Sequence, residues 1–252
     1  MKKILKTLLD NLLLWFLQIK SRSFVKPIIP LKKILAGTKV VILIPHSDDE
    51  VLGCYNFIKE NGLRLEIELI LVTRTANPEI NAKRVIESKR ALTGLPFKKL
   101  YFWELEEGRL EENKEKLRSN LKSIDGLYDY VFTLAPNDTT NDHSYISDST
   151  SKNIKKSKVV YYRSTSITFN IMDASFYCKG TFLDKKNALR HYKTQDSINL
   201  INTIKYNRNE ALILGYSKKY AIEAFIFAED FNENQKAINS LSTGSLIREL
   251  FR

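Results

Sequence analysis

The sequence predicts an α/β fold in which a mostly parallel sheet carries helices on both faces. From residue 39 onward, short apolar runs of strand length alternate with segments of helical periodicity. Strands that alternate with helices pair in parallel, because each helix forms the crossover to the next strand. The chain has 252 residues, of which 43% are hydrophobic and 27% are charged, so it can bury one substantial core as a globular domain.

Turn and capping residues bound the predicted elements. The helix that starts at Asp49 ends at Asn61-Gly62, and another ends at Gly94 with Pro96 beyond it. The predicted strands cover residues 39–44, 65–73, 99–103, 128–134, 159–162 and 167–171. The predicted helices cover residues 49–60, 81–93, 111–124, 185–192 and 198–215, with one more beginning near residue 143. Periodicity alone does not decide whether the apolar run over residues 220–227 is a strand or a helix.

The two ends of the chain depart from this alternation. The predicted division is an amphipathic helix and linker over residues 1–38, the α/β domain over residues 39–230, and a tail over residues 231–252. In residues 1–25 a leucine-rich stripe is flanked by lysines, which fits packing against the protein's own core or contact with a membrane surface or partner. Lys6 and Asp10 interrupt the stripe, and no small-residue cleavage site follows, so a membrane-spanning helix and a signal peptide are both disfavoured.

Charge and cysteine content narrow the class of partner and the compartment. The net charge of +11, from 40 Lys+Arg against 29 Asp+Glu, favours anionic partners. No RRM, KH or zinc-finger pattern accompanies the lysines, so nucleic acid is a disfavoured partner. Cys54 and Cys178 lack CxxC spacing and are too few for a disulfide framework, which indicates the cytoplasm. The sequence makes no prediction of the oligomeric state.

One histidine and three carboxylates follow the first predicted strand directly, in the segment Pro45–Glu50. Open α/β folds place their ligands at the carboxyl ends of the strands, which is where this segment lies. His46 and Asp49 are three residues apart across a turn, so both can face one point, while Asp48 projects elsewhere. This arrangement predicts two metal ligands and a separate base.

A second histidine, His143, follows a later strand. Two histidines and one carboxylate with an open fourth position are a known ligand set for catalytic zinc. Helix capping is the alternative, because Ser47-x-x-Glu50 has the spacing of a capping box. Capping does not account for either histidine, so the metal site and the cap are both retained as interpretations.

The segment Pro45-His46-Ser47-Asp48-Asp49-Glu50 resembles the first motif of the PIG-L/LmbE-like zinc deacetylases, Pro/Ala-His-Pro-Asp-Asp-Glu. The resemblance implies a Rossmann-like three-layer sandwich, with His46 and Asp49 as zinc ligands and Asp48 as the general base. The second family motif, His-Pro-Asp-His, corresponds to residues 140–143, which implies His143 as the third zinc ligand.

This second motif departs from the family at Thr140, where the family has a histidine that assists the oxyanion or the leaving amine. Zinc binding should survive this change, whereas full catalytic power is in question. Asp142, which normally orients that histidine, becomes a candidate cap for the next helix. His191 could substitute for the missing histidine, although a histidine without a catalytic role on a helix is the simpler interpretation. Glu50 is assigned to capping or to support of the ligands.

Weaker similarities extend over most of residues 39–227. The pair Arg84-x-x-Glu87 is similar to a family helix whose arginine lies near the substrate, so Arg84 is a predicted substrate contact. The segment Glu107-Gly108 resembles the family's Asp-Gly segment, and Lys186 resembles a lysine of a C-terminal motif.

The resemblance implies a hydrolase that removes the acetyl group from an N-acetylated amino sugar and uses one Zn²⁺ per chain. Arg84 and the basic composition suit an N-acetylglucosamine-type conjugate that is anionic, such as a lipid-linked or nucleotide-linked sugar. If residues 1–25 bind membrane, a lipid-linked substrate at the inner face becomes the favoured one. Two alternatives stay open: a degenerate member that binds a sugar conjugate without efficient turnover, and a basic protein that binds anionic polymers.

Overall fold

The computed structural model describes residues 36–195 and 200–232, except for the side chain of residue 202. Strands and helices alternate along this part of the chain. The strands are β1 (Lys39–Ile44), β2 (Glu66–Arg74), β3 (Lys99–Glu106), β4 (Tyr130–Leu134), β5 (Lys158–Tyr162), β6 (Phe176–Thr181) and β7 (Tyr220–Phe227). The helices are α1 (Asp49–Asn61), α2 (Pro78–Ala91), α3 (Lys114–Ile124), α4 (Asn141–Asn153), α5 (Phe182–Leu189), α6 (Leu200–Thr203) and α7 (Lys205–Ile213).

The strands form one sheet in the order β3-β2-β1-β4-β5-β7-β6. Strands β1 to β5 pair in parallel, while β7 runs antiparallel to both β5 and β6. The chain builds outward from β1 to β2 and β3, then returns to place β4 on the other side of β1. This reversal is a topological switch point, where a crevice opens at the carboxyl ends of β1 and β4.

Alternate side chains of the strands enter two hydrophobic layers, one on each face of the sheet. On one face Val41 and Leu43 of β1 pack with Leu117 and Leu121 of α3. On the other face Val40 and Ile42 belong to the layer that contains Phe57 and Ile58 of α1. Because successive strand residues point to opposite faces, a sheet covered on both sides needs the continuous apolar runs seen in the sequence. The predicted three-layer α/β fold is therefore confirmed.

One predicted strand is wrong. Residues 167–171 form a loop after β5, and the next strand is β6 at Phe176–Thr181. The apolar residues Ile167, Phe169 and Ile171 are buried and alternate in the sequence with the polar residues Thr168 and Asn170, as in a strand. Two carbonyls of this loop accept hydrogen bonds from side chains, Phe169 O from Arg163 and Thr168 O from Asn137. Alternating apolar residues in a loop that side chains hold in place thus imitate the sequence pattern of a strand.

Other differences concern the start of helices and the unassigned run. Helix α2 begins at Pro78. The Asn77 side chain accepts hydrogen bonds from the amides of Glu79 and Ile80, and proline suits the first helical turn because it has no amide proton to satisfy. The apolar run over residues 220–227 is strand β7. The predicted helix over residues 198–215 consists of α6 and α7 in its described part.

Parts of the predicted organisation fall outside the described residues. These are the N-terminal amphipathic helix predicted over residues 1–25 and nearly all of the tail predicted over residues 231–252. Within the described part of the chain, no helix has both the length and the apolar character needed to cross a membrane.

Candidate metal centre

The turn between β1 and α1 holds the first group of site residues in an unusual backbone conformation. Asp48 is the N-cap residue of α1 and has φ 148° and ψ −26°. Residues other than glycine rarely adopt positive φ, and such positions cluster at functional sites. The Asp48 amide donates to Glu50 Oε2 at 2.9 Å, and the Tyr192 hydroxyl donates to Glu50 Oε1 at 2.6 Å. Glu50 therefore supports the Asp48 backbone.

This turn does not form the predicted capping box. A capping box needs Ser47 at the N-cap and Glu50 three residues later. The N-cap is Asp48 instead, so Glu50 is only the second helical residue, and the cap makes no side-chain hydrogen bond. The Ser47 carbonyl accepts from Gln195 at 3.0 Å, which joins the turn to the segment after α5. The capping interpretation is thus wrong for Ser47.

The structure brings His46, Asp49 and His143 to one point in the crevice between β1 and β4. His46 Nδ1 lies 3.0 Å from His143 Nε2 and 3.5 Å from Asp49 Oδ2. His143 Nε2 lies 3.1 Å from the same Asp49 oxygen. Three atoms that can each bind a metal ion therefore form a nearly equilateral triangle.

Each histidine of the triangle turns its other ring nitrogen to a carboxylate. His46 Nε2 lies 3.0 Å from Asp142 Oδ2 and makes a hydrogen bond with it. His143 Nδ1 lies 3.2 Å from Asp138 Oδ1, a close approach without hydrogen-bond geometry. Metal-binding histidines in proteins almost always have such a partner, which fixes the tautomer and the ring orientation. The Asp142 oxygen also accepts the Gly108 amide at 2.8 Å, so this carboxylate is itself held in place.

The dimensions of the triangle fit zinc. Zinc binds histidine nitrogen and carboxylate oxygen at about 2.0–2.2 Å with tetrahedral geometry, which separates neighbouring ligand atoms by about 3.3 Å. The three observed separations are 3.0, 3.1 and 3.5 Å. The donor set of two imidazoles and one carboxylate also suits this ion, and a fourth position would stay open.

The pKa values of the metal-free triangle show that its surroundings favour positive charge. Burial opposes the shift, but hydrogen bonds to Asp142 and Asp49 raise the pKa of His46 to about 9. Burial likewise lowers the pKa of His143, but the negative charge of Asp49 outweighs this effect and raises the pKa to about 10. The two histidines in turn hold the pKa of Asp49 far below its usual range against the effect of burial. A metal cation would supply the same positive charge to these carboxylates.

Asp48 is buried beside the triangle and is not one of its three ligand atoms. Burial raises the pKa of Asp48 well above its usual value, and the nearby charges of Asp49 and Glu50 raise it further. A carboxylate in such surroundings is a stronger base than an exposed aspartate.

The second motif differs from what the sequence predicted in one respect. The N-cap of α4 is Thr140, which is half-buried and makes no capping bond through its side chain. Asp142 lies inside the first turn of α4 and bonds His46 and Gly108, so the expectation that it caps this helix is wrong. The register of α4 explains this, because the helix begins at Asn141, one residue before Asp142.

Arg84 is connected to the rim of the centre through Glu107. Its Nη1 donates to Glu107 Oε2 at 2.6 Å, and Glu107 Oε1 lies 4.0 Å from His46 Nε2. His191, the proposed substitute for the missing histidine, is exposed to solvent. Its neighbour Tyr192 is the residue that reaches the site, through Glu50.

Two residues at the centre were not recognised from the sequence. Asp138 lies in the polar loop after β4, and that loop was the available signal for it. Ser164 donates its hydroxyl to Asp49 Oδ1 across 115 residues of sequence. A serine after a strand carries no pattern that would have singled it out.

The fold and the site together define a three-layer α/β protein with a two-histidine, one-aspartate centre at its switch point. Residues 41–153 match the family described as PIG-L: GlcNAc-PI de-N-acetylase. Both histidine motifs lie inside the matched segment. The family resemblance of the sequence is therefore confirmed. No curated protein matches the chain by sequence.

Solved structures of similar fold include two deacetylases and one hydratase. The N,N'-diacetylchitobiose deacetylase from Pyrococcus horikoshii has a TM-score of 0.61 and 18% identity, covering 80% of this chain and 86% of that chain. The A40926 pseudoaglycone deacetylase Dbv21 has a TM-score of 0.56 and 15% identity, covering 75% and 97%. The 4-carboxy-2-hydroxymuconate hydratase GalB from Pseudomonas putida KT2440 has a TM-score of 0.53 and 11% identity, covering 80% and 99%. These likenesses show the fold, and the hydratase shows that the fold serves more than one chemistry.

Proposed function

We propose that this chain is a zinc-dependent hydrolase that removes the acetyl group from an N-acetylated amino sugar. The observation that carries the proposal is that each histidine turns one nitrogen to the centre and the other to a carboxylate. Such pairing is typical of metal ligands. The family description and the deacetylases reported among the similar structures support acetyl-group hydrolysis.

His46, Asp49 and His143 would hold the ion, through the three atoms of the triangle. When bound, zinc lowers the pKa of water towards about 7 and polarises a carbonyl group. Asp142, which is hydrogen-bonded to His46, and Asp138, which lies beside His143, would orient the two rings when the ion is bound.

Asp48 is the general base of this proposal. Its carboxylate takes the proton of the attacking water and then delivers it to the nitrogen that leaves the acetyl group. The strained Asp48 backbone, held by Glu50, fixes where this carboxylate lies. Burial keeps it basic and excludes competing solvent.

The substrate of this proposal is an N-acetylglucosamine-type conjugate that carries negative charge. The net charge of +11 supports an anionic ligand, and Arg84 at the rim is the proposed substrate contact. One nitrogen of Arg84 already donates to Glu107, so the arginine would contact the substrate with its remaining donors. The group attached to the sugar could be a lipid or a nucleotide, since both present phosphate.

Thr140 favours a second candidate, a protein that binds the sugar conjugate with little turnover. Threonine has only a neutral hydroxyl, so it cannot supply the charged hydrogen-bond donor that a protonated histidine offers to the oxyanion or the leaving amine. Loss of one donor to an oxyanion costs about 10²–10³ in rate in other enzymes. Zinc binding without amine release from a panel of N-acetylglucosamine conjugates would support this candidate over the hydrolase.

The test measures zinc content and amine release for the natural chain and three variants. Asp48→Asn should keep zinc and lose about 10²–10⁴ in turnover, because the shape stays and the base is removed. His46→Ala and His143→Ala should lose the metal. A fully active Asp48→Asn would show that the base is assigned wrongly. Salt-sensitive nucleic-acid binding by a protein without metal would support the basic-polymer alternative.

A further inference from the structure

The loop after β5 lies against the proposed metal centre and is firmly anchored. Arg163 Nη2 lies 2.7 Å from Glu210 Oε2, and both side chains are buried. Arg163 Nη1 donates to Phe169 O at 2.9 Å, which closes the loop on itself. The Tyr206 hydroxyl donates to Ser164 O at 2.9 Å. Because Glu210 and Tyr206 both belong to α7, this helix fixes the backbone of the loop at Ser164.

From this fixed position, the Ser164 hydroxyl donates to Asp49 Oδ1. Ser164 is 0% exposed, so no solvent competes for the bond. The other carboxylate oxygen, Oδ2, is the one that lies 3.1 Å from His143 Nε2. Oδ2 also accepts the His46 backbone amide at 2.9 Å. Oδ1 of Asp49 therefore faces the loop, while Oδ2 faces the triangle.

We propose that Ser164 is a positioning residue that makes Asp49 bind the metal through Oδ2 alone. A carboxylate can bind a metal through one oxygen or through both. The hydrogen bond to Oδ1 holds that oxygen away from the ion, which keeps the fourth position open for water and substrate. The inference rests on the proposed metal centre and adds a residue that no family motif of the sequence indicated.

A second serine of the loop acts on the other side of the centre. Ser166 Oγ donates to Asp138 Oδ1 at 3.2 Å, and this oxygen lies 3.2 Å from His143 Nδ1. One anchored loop thus reaches the carboxylate ligand directly and a histidine ligand through Asp138. Contacts of this kind, made to the groups that surround a metal ion, are known to fix the orientation of its ligands.

The test compares Ser164→Thr with Ser164→Val, which have nearly the same volume and differ in the hydroxyl. Zinc affinity is measured by competition with a chromophoric chelator, and the visible absorption of the Co²⁺-loaded protein reports the coordination number. We expect Ser164→Val to bind zinc about 10–100-fold more weakly than Ser164→Thr. We also expect weaker Co²⁺ absorption from the valine variant, because a second Asp49 oxygen raises the coordination number above four.

Ser147→Ala is the matched control for loss of a buried hydroxyl. Ser147 lies in α4 and is 0% exposed, and its Oγ has no hydrogen-bond partner among the residues that the structure describes. This variant should bind zinc like the natural chain. Equal affinities and spectra for the threonine and valine variants would overturn the role of Ser164. Undiminished zinc binding by His46→Ala would instead overturn the metal centre itself, so the two failures are distinguishable.

Discussion

Lys185 Nζ lies 2.8 Å from Glu223 Oε1, and both side chains are completely buried beneath α1. The lysine also donates to the Leu52 carbonyl at 2.6 Å, while Glu223 accepts the amide of Asn56 at 3.0 Å. In a regular helix this carbonyl and this amide are i, i+4 partners. The ion pair thus joins α5 and β7 to the backbone of α1, the helix that begins with Asp49.

The first prediction concerns this pair. Lys185→Met should lower the free energy of unfolding by about 3–5 kcal/mol, because Glu223 stays buried without a counter-charge. The matched control is Lys186→Met at the next residue, which is half-buried and should change stability by about 0.5 kcal/mol or less. Urea denaturation followed by circular dichroism measures both. Equal losses for the two variants would contradict a special contribution of the buried Lys185–Glu223 pair to stability.

The second prediction concerns the contact of α1 with β5 at Gly53. A Cβ at this residue would lie 2.3 Å from Tyr162 Cδ2 and 2.6 Å from the Arg163 carbonyl oxygen. Alanine is preferred to glycine in a helix by about 1 kcal/mol, whereas overpacking costs about 1–3 kcal/mol. We therefore expect Gly53→Ala to be destabilised in urea and to lose activity as α1 moves. A more stable variant would show that helix propensity outweighs the clash.

The third prediction concerns Tyr192. Its hydroxyl donates to Glu50, which in turn accepts the Asp48 amide. Tyr192→Phe leaves a buried carboxylate oxygen without this donor, which should cost about 1–3 kcal/mol of stability. Turnover should also fall, because the Asp48 backbone loses part of its support. Tyr216→Phe removes a hydroxyl that pairs with Tyr177 away from the centre and should leave turnover unchanged.

The fourth prediction concerns the pH dependence of zinc binding. The nearby carboxylates raise the pKa of His46 to about 9 and that of His143 to about 10 in the metal-free protein, despite burial. A ligand histidine must release its proton before it binds metal. Zinc affinity should therefore rise with pH between about 6 and 8, with release of protons on binding. Calorimetry in two buffers of different ionisation enthalpy would detect this release, and a pH-independent affinity would contradict it.

The fifth prediction concerns the leucine stripe of residues 1–25. If this segment lies on an anionic membrane, the full chain should float with phosphatidylserine vesicles. The double variant Leu9→Glu and Leu12→Glu should stay in the soluble fraction, because charge on the apolar stripe opposes burial in lipid. Asn11→Glu, on the polar side of the same predicted helix, is the control. Identical flotation of all three proteins would exclude membrane binding through the stripe.

Much of the fold followed from local pattern. Strand β1 has the predicted bounds, and the alternation of strands and helices predicted the parallel pairing of β1 to β5, because each crossover helix returns the chain to the start of the next strand. The loop over residues 167–171 was mistaken for a strand. A periodic pattern of apolar residues does not show which groups form hydrogen bonds with the backbone. Strand β6 was missed because Lys179 and Gly180 interrupt its apolar pattern.

The sequence by itself determined which candidate site residues stand together at the end of β1. His46, Asp48 and Asp49 are adjacent in the chain, so one turn delivers them together whatever surrounds it. Only the tertiary structure decided which groups complete the centre. His143 is 97 residues from His46, and Ser164 is 115 residues from Asp49. Their meeting depends on the order of the strands, which is set by packing of the whole sheet rather than by any local pattern.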